Sequence, residues 1–418
     1  MRIPEKSFSA LGIAALAAAF LIFAPALRAQ DAQPEESTGR VASQATHAER
    51  FMVAAANPLA VGAGVDVLRD GGSAIDAMIT VQLVLNLVEP QSSGIGGGAF
   101  LLHLDGASGE AIAYDGRETA PMAADGGLFL GADGEPLGFW AAVVGGRSVG
   151  TPGTLRLMET AHAEHGRLPW ARLFQPAIAL ARNGFEVSPR LAGLLEGSRA
   201  ERLRTYPEAR NYFFPGGQAL QAGDRLTNPE FADTLSLIAT SGADIFYTGE
   251  IGLDIVAAVR NAEGNPGLLA QEDLAAYRVI AREPVCHPYR GRRVCGMGPP
   301  SSGALTVGQI LGMLEHFDLA SMGPDSADAW HLFAEASKLA YAARALYMAD
   351  ADVVPVPTRG LLDPAYLTGR AQHISLDTAM ETPAAAGNPP WREAMLYAPD
   401  ASMELPGTSH VSIVDADG

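Results

Sequence analysis

The chain has 418 residues, of which 48% are hydrophobic and 18% charged, so it can bury the core of one large domain or of two ordinary ones. Its formal net charge of −18 argues against a nucleic-acid-binding protein, because phosphate recognition needs clustered Lys and Arg and the chain has no basic run. The composition is compatible with a soluble protein that handles small molecules.

Residues 1–29 have the pattern of a cleaved signal peptide. Arg2 and Lys6 precede an uncharged apolar stretch from Leu11 to Ala26, which small residues follow. A membrane anchor is the alternative, but a span needs ~20 apolar residues and this run is shorter. Residues 30–48, rich in Gln, Glu, Ser and Ala, are predicted to be a flexible leader. We therefore expect a secreted or periplasmic protein without a stable membrane span.

Two helices are predicted before Pro90. Asn57 can cap a helix that begins at Pro58, runs to Leu68 and is stopped by two glycines. Ser73, with Asp76 three residues later, forms the pattern of a capping box for the second helix. Its apolar positions recur at helical spacing: Ile75, Met78, Ile79, Leu83 and Leu87.

A glycine cluster at 94–98 precedes a strand-like segment, Phe100 to Leu104. Its spacing resembles a dinucleotide fingerprint, but that motif needs a strand before the glycines and a helix after them. Here the order is reversed. Close packing of the backbone, or its approach to a substrate, explains the glycines better than a nucleotide site.

The rest of the chain mixes helical and strand-like segments without a fixed repeat, which predicts one α+β domain. Helices are predicted at Trp170–Asn183, Phe231–Ser241, Ile251–Asn261, Thr306–His316 and Ala327–Tyr347.

The two cysteines, Cys286 and Cys295, flank a segment that resembles a tight hairpin. With Arg290-Gly291 as a two-residue turn, the cysteines face each other at a non-hydrogen-bonded pair. An exported protein would join them in a disulfide. Two buried free thiols are the alternative.

Histidine and carboxylate pairs occur at helical spacing, His162 with His165 and His331 with Glu335. Neither pair has further ligands nearby or an HExxH pattern, so we predict solvated helix faces and no metal site.

Near the end, alternating residues from Thr408 to Val414 predict a strand, and 415–418 a turn. On a regular strand Thr408, His410, Ser412 and Val414 share one face. Thr408 can be an ordinary β-branched strand residue. Its position directly after Gly407, however, gives its hydroxyl unusual access to a carbonyl.

The segment Gly407-Thr408-Ser409-His410-Val411-Ser412 resembles the processing site of γ-glutamyltransferases (glutathione hydrolases). The resemblance extends over nearly the whole chain from about Met52. It includes, in order, Asp70-Gly71-Gly72-Ser73-Ala74-Ile75-Asp76-Ala77, the glycine cluster, Tyr114-Asp115-Gly116-Arg117-Glu118-Thr119-Ala120-Pro121, Gly150-Thr151-Pro152-Gly153-Thr154, Gly166-Arg167-Leu168-Pro169-Trp170, Gln175-Pro176-Ala177-Ile178, Glu272-Asp273-Leu274-Ala275-Ala276-Tyr277 and Pro299-Pro300-Ser301-Ser302-Gly303.

The resemblance implies an α+β fold, the αββα four-layer sandwich of the N-terminal-nucleophile hydrolases, and an autoprocessing precursor. Thr408 would cut the Gly407–Thr408 peptide bond and become the catalytic nucleophile of the new N-terminus. Residues 49–407 would form the large subunit and 408–418 the start of the small subunit.

The resemblance also assigns Arg117 to binding the α-carboxylate of the glutamyl group, for which a planar guanidinium is suited. A structural ion pair with Asp115 or Glu118 is the alternative role. No cofactor or metal is implied. Implied partners are glutathione and other γ-glutamyl compounds, acceptor amino acids or peptides, and the small subunit after cleavage.

Only eleven residues follow Gly407, so we expect most of the small subunit to be absent and the chain alone to be inactive. Two other functions remain open: a β-lactam (glutaryl-cephalosporin) acylase of the same superfamily, and a non-catalytic remnant or scaffold.

Overall fold

The computed structural model describes residues 45–391, 397–400 and 407–418. The predicted signal peptide and most of the predicted leader lie outside the described residues. All described residues except Gly407 belong to one of two compact units, the one within 43–401 and 408–418.

The first two helices begin at the predicted caps. Helix α1 (Pro58–Arg69) is capped by Asn57, whose side chain accepts from the Leu59 N–H at 3.0 Å. Helix α2 (Ala74–Val88) carries the predicted capping box: the Asp76 N–H donates to Ser73 Oγ at 3.2 Å, and the Ser73 N–H donates to Asp76 Oδ2 at 2.9 Å. Most residues of α2 are buried, so it is the central helix of the main core.

Fifteen further α-helices follow within the described residues. They are α3 (Phe139–Val143), α4 (Thr154–His165), α5 (Trp170–Leu173), α6 (Gln175–Asn183), α7 (Pro189–Glu196), α8 (Pro207–Phe213), α9 (Pro229–Ser241), α10 (Asp244–Tyr247), α11 (Glu250–Arg260), α12 (Gln271–Ala276), α13 (Gly303–Leu314), α14 (Leu319–Met322), α15 (Ala327–Tyr347), α16 (Thr358–Leu361) and α17 (Pro364–Ala371). Short 3₁₀ segments lie at Ser198–Thr205 and Pro215–Gly217.

The predicted helices are confirmed, most of them to within three residues at each end. The exception is Trp170–Asn183, which is two helices, α5 and α6, divided at Phe174. Pro176 explains the division, because it has no N–H to continue the hydrogen bonding of α5. Helix α15 matches its prediction, and its buried residues include Leu332, Ala336, Leu339 and Ala343.

The strands form small sheets. They are β1 (Met52–Ala54), β2 (Ala99–Leu104), β3 (Ala111–Gly116), β4 (Phe185–Glu186), β5 (Arg225–Leu226), β6 (Ile280–Arg282), β7 (Val285–Tyr289), β8 (Arg292–Gly296) and β9 (Ser412–Val414). Antiparallel pairing gives a three-stranded sheet in the order β2-β3-β6 and the pairs β1-β9, β4-β5 and β7-β8. The described chain combines runs of helices with small antiparallel sheets, as in an α+β fold.

The core has one large part and two smaller ones. The large part is built around α1, α2, α4 to α7 and α9, and Val411 and Ile413 near the end of the chain pack against it. A second apolar cluster joins α13, α15 and α17. A third surrounds Leu305 and Tyr347. Within the described part of the chain, no helix is both long and apolar enough to cross a membrane.

Candidate active site

The predicted nucleophile Thr408 is exposed and lies four residues before strand β9. Along the segment Thr408, His410, Ser412 and Val414 are exposed, while Ser409, Val411 and Ile413 are half-buried. The predicted division into two faces is therefore confirmed. The regular strand is shorter than predicted, because its partner β1 offers only the three positions opposite Ser412–Val414.

The turn after β9, predicted at 415–418, is present, since the Gly418 N–H donates to the Asp415 carbonyl at 3.1 Å. Two carboxylates attach this turn to the rest of the unit. Asp415 Oδ2 accepts from the Ala74 N–H at 2.9 Å, at the N-terminus of α2. Asp417 forms an ion pair of 2.5 Å with Arg167.

The carboxylate of Asp76 joins two of the sequence motifs. It is fully buried, and its Oδ2 accepts from the N–H groups of Ser73, Arg167 and Leu168 at 2.9–3.1 Å. The segment after α4 is thereby fixed to the start of α2. Since Arg167 also holds Asp417, the same network reaches the turn after β9, the strand that follows Thr408.

Arg117 follows strand β3 and presents its guanidinium to solvent, with 58% of the side chain exposed. Its Nη1 lies 3.2 Å from Glu118 Oε2, so one of the two ion pairs named as its alternative role is present. Asp115 instead contacts the backbone: its Oδ1 accepts from the Arg117 N–H at 3.0 Å. The other oxygen of Asp115 accepts from Arg282 Nε at 2.9 Å.

Glu118 explains part of the glycine cluster. A β-carbon on Gly98 would overlap the Glu118 carboxylate and lie 2.7 Å from the Glu118 amide nitrogen. The Gly97 carbonyl accepts from the N–H groups of Gly153 and Thr154 at 2.9 and 3.0 Å. The order helix, glycines, strand is confirmed by α2 and β2. The glycines therefore allow close packing, which was the interpretation favoured over a nucleotide site.

Tyr277 completes this junction and was not singled out from the sequence. Its hydroxyl donates to the Arg117 carbonyl at 2.8 Å, and the side chain is 4% exposed. Burial raises the pKa of the Tyr277 hydroxyl. The only signal for it in the sequence is its place at the end of the motif Glu272 to Tyr277.

Thr408 and Arg117 belong to different sheets. Among the described residues, no hydrogen bond or ion pair joins the two side chains. Four of the sequence motifs meet around Arg117: the glycine cluster and the segments 114–121, 150–154 and 272–277. Two others, 70–77 and 166–170, meet at Asp76 beside the turn after β9.

The hairpin β7–β8 has the predicted register, with Cys286 opposite Cys295. Arg290 and Gly291 have φ values of 47° and 76°, as a two-residue turn of this kind requires. The structure links the two sulfur atoms.

The histidine pairs are not solvated helix faces, and that prediction is wrong. His162 Nε2 lies 2.8 Å from the Leu168 carbonyl, and His165 Nε2 lies 2.7 Å from the hydroxyl of the buried Tyr114. Glu335 is 1% exposed and pairs with Lys338 at 2.6 Å. Leu168, Tyr114 and the Met380 N–H, all outside these helices, supply contacts that periodicity on one helix does not reveal. In the described ranges, no three His, Cys, Asp or Glu side chains are grouped so as to hold a metal ion.

Comparison with known proteins agrees with these motifs. A family profile described as Gamma-glutamyltranspeptidase matches residues 60–418. The chain is 36% identical over 373 residues to the glutathione hydrolase proenzyme of Bacillus subtilis (strain 168), with 88% of this chain and 62% of that protein covered. It is 37% identical over 378 residues to the Acylase ACY 1 proenzyme of Pseudomonas sp. (strain V22), with 88% and 64% covered. The chain therefore spans less than two thirds of the length of both proenzymes.

The fold also matches that of a solved structure. The crystal structure of Helicobacter pylori gamma-glutamyltranspeptidase matches with a TM-score of 0.76 and 36% identity, over 81% of this chain and 95% of that chain. This similarity confirms the predicted α+β fold of the N-terminal-nucleophile hydrolases. The profile match and the two identities also confirm the family resemblance. The chain belongs to the gamma-glutamyltranspeptidase family.

Proposed function

We propose that this chain is part of an autoprocessing glutathione hydrolase, a γ-glutamyl acyltransferase whose nucleophile is Thr408. The observation that carries the proposal is the orientation of the segment from Thr408 through β9. Its apolar residues Val411 and Ile413 pack inward, and Thr408, directly after Gly407, is exposed. Family membership and the glutathione hydrolase relatives support the same reading.

In the first reaction, Thr408 Oγ attacks the Gly407 carbonyl carbon and the peptide C–N bond breaks. The hydroxyl proton passes to the departing nitrogen, so an ester links Gly407 to Thr408. Water then hydrolyses this ester and leaves a free α-amine on Thr408. An α-amine has an unperturbed pKa of ~7.7–8.0, so it can accept a proton near neutral pH, whereas a peptide nitrogen cannot.

In the second reaction, the amine of Thr408 takes the proton of its own hydroxyl while Oγ attacks the γ-carbonyl of the donor. The amine of the leaving group departs with that proton, and a γ-glutamyl ester remains on Thr408. Water, or the amine of an amino acid or peptide, then attacks the ester and restores the hydroxyl. Arg117 would hold the α-carboxylate of the donor through two charge-assisted hydrogen bonds.

This proposal includes the subunit boundaries and the location. Residues 49–407 form the large subunit and Thr408 begins the small subunit. Residues 1–29 direct export to the periplasm or the medium, after which residues 30–48 remain as a leader. The signal-peptide pattern of Arg2, Lys6 and the apolar stretch after them supports export.

The test uses the complete protein that contains this sequence, and its Thr408→Ala and Thr408→Ser variants. Intact mass after incubation at neutral pH should show a cut before residue 408 in the unsubstituted protein and none in Thr408→Ala. Hydrolysis of a γ-glutamyl anilide should vanish in Thr408→Ala and persist at a lower rate in Thr408→Ser, which keeps a hydroxyl. Cleavage or hydrolysis that survives Thr408→Ala would contradict the proposal.

An acylase acting on glutaryl donors is the second candidate, favoured by the 37% identity to the Acylase ACY 1 proenzyme. Both donor types have a carboxylate at the same distance in bonds from the reacting carbonyl, so Arg117 can serve either. Parallel assays with γ-glutamyl and glutaryl anilides separate the candidates. A higher kcat/KM for the glutaryl compound would replace the proposed function by the acylase.

A further inference from the structure

The backbone of Arg117 is held by hydrogen bonds on both sides, although its side chain is largely exposed. On one side the Arg117 N–H donates to Asp115 Oδ1 at 3.0 Å. On the other side the Arg117 carbonyl accepts from the Tyr277 hydroxyl at 2.8 Å. The Arg117 side chain is 58% exposed, and within the described part of the chain its guanidinium forms one ion pair, with Glu118. An ion pair with so much solvent exposure contributes little to fixing a side chain. The position from which the guanidinium acts is therefore set by the backbone.

Several contacts fix the position of Tyr277 beside the Arg117 carbonyl. It is the residue directly after α12, and three residues later the chain enters β6, which pairs with β3 opposite Ala113, Tyr114 and Asp115. Its ring stacks on that of Tyr247, with centroids 6.0 Å apart and an angle of 12° between the planes. The side chain is 4% exposed, and burial raises the pKa of its hydroxyl, so the O–H remains a donor at neutral pH.

Gly153 makes room for this contact. A β-carbon at position 153 would overlap both the Tyr277 hydroxyl and the Gly116 carbonyl. Gly153 is in turn held by its N–H, which donates to the Gly97 carbonyl at 2.9 Å. Three of the sequence motifs thus meet at one hydroxyl group, and that group makes a hydrogen bond to the residue assigned to the substrate carboxylate.

We propose that Tyr277 is a positioning residue for carboxylate binding: its hydroxyl fixes the Arg117 peptide and so sets where the guanidinium meets the carboxylate of the acyl donor. This inference rests on the proposed function of Arg117. Tyr277 itself contacts no reacting atom. The ligand chemistry is a donor with a terminal carboxylate, which γ-glutamyl and glutaryl compounds share.

The experiment compares Tyr277→Phe with Tyr247→Phe in the processed complete protein. Each variant removes one buried hydroxyl and keeps the ring. The Tyr247 hydroxyl donates to the Pro152 carbonyl and accepts from the Arg156 N–H, each at 3.0 Å. It does not contact Arg117, so Tyr247→Phe is the control for the loss of a buried hydroxyl at this junction. Tyr277→Phe should raise KM for a γ-glutamyl anilide about threefold to tenfold, as expected for the loss of one neutral hydrogen bond. Its kcat and its rate of self-cleavage should change less than about twofold.

Two further readouts separate positioning from a structural role. A butyryl anilide has no carboxylate, so Tyr277→Phe should not change the kinetics of its hydrolysis. In a double-mutant cycle, Tyr277→Phe should also have no further effect on KM when Arg117 is already replaced by Lys. Equal changes in KM in the two tyrosine variants, an equal loss with the butyryl anilide, or additive effects with Arg117→Lys would each overturn the inference.

The outcomes also distinguish this inference from the proposed function. If the unsubstituted protein prefers the glutaryl anilide, the proposed function is wrong, and Tyr277→Phe is then tested on the glutaryl compound. If the γ-glutamyl anilide is hydrolysed but its KM does not respond to Tyr277→Phe, only the inference is wrong. If neither anilide is hydrolysed, both are wrong.

Discussion

The two roles that the sequence context leaves open for Arg117, an ion pair and carboxylate binding, do not exclude each other. It pairs with Glu118 at 3.2 Å, and its guanidinium is nevertheless 58% exposed. A guanidinium carries five N–H donors, so one contact with Glu118 leaves others to meet a carboxylate from solvent. The ion pair and carboxylate binding are therefore compatible.

Replacing Arg117 by Lys tests whether Arg117 binds the carboxylate of the donor. Lysine keeps the charge but cannot donate two parallel hydrogen bonds, and a hydrogen bond to a charged group contributes about 1.5–3 kcal/mol. We expect KM for a γ-glutamyl anilide to rise about tenfold or more, with self-cleavage at Gly407–Thr408 unchanged. Steady-state kinetics and intact mass measure the two effects. An unchanged KM would remove Arg117 from the binding site.

The hairpin β7–β8 is an element whose register follows from its turn. Arg290 and Gly291 both have positive φ, which matches the twist of two paired strands and places Cys286 opposite Cys295. The hairpin packs on α13, where His287 lies beside Gly308 and Gly312. Because Cys286 and Cys295 lie directly opposite each other on the paired strands, a disulfide can join them without rearranging the hairpin.

We predict that the exported protein contains the Cys286–Cys295 disulfide and is stabilised by it. Unreduced peptide mapping should show the two cysteines linked. A variant with both cysteines replaced by serine should lose about 2–4 kcal/mol of unfolding free energy, the usual contribution of a disulfide. The loss of unfolding free energy should lie at the lower end of this range, because the loop that the disulfide encloses is short. Two thiols that react with an alkylating agent in exported protein would refute the prediction.

Two histidines, the half-buried His103 and the buried His287, contact elements that are distant in the sequence. His103, on β2, stacks on His165 of α4 with centroids 3.9 Å apart. Burial and the neighbouring His165 lower the pKa of His103, and Asp105 and Asp415 oppose this only in part. His287, on β7, packs against α13, and burial lowers its pKa as well.

These shifts predict that the protein loses stability as the pH falls below about 6.5, the ordinary pKa of histidine. In this range the unfolded chain binds protons at His103 and His287 while the folded protein does not, so protonation favours unfolding. The loss continues until the pH reaches the lowered pKa values of the folded protein. Urea unfolding at pH 7.5 and 5.5 measures it. In a His103→Gln, His287→Gln double variant the difference between the two pH values should be smaller; an equal or larger difference would show that other groups cause it.

Much of the fold was determined by local sequence. The caps Asn57 and Ser73, the division into two faces around Thr408 and the register set by Arg290-Gly291 follow from neighbouring residues, and the structure confirms them. Such features are predictable because hydrogen bonds and side-chain directions over a few residues depend on backbone geometry alone.

The contacts that assemble the candidate site were decided by tertiary structure. Tyr277 reaches Arg117 across 160 residues of sequence, Arg282 reaches Asp115 across 167, and Asp415 reaches Ala74 across 341. The contacts of His162, His165 and Glu335 likewise depend on segments outside their helices. The sequence by itself determined which motifs carry the chemistry and the helices and strands around them. Only the packing of distant elements determined which side chains hold those motifs in place. The reason is that a local sequence pattern does not show which distant residue will be the hydrogen-bond partner of a given group.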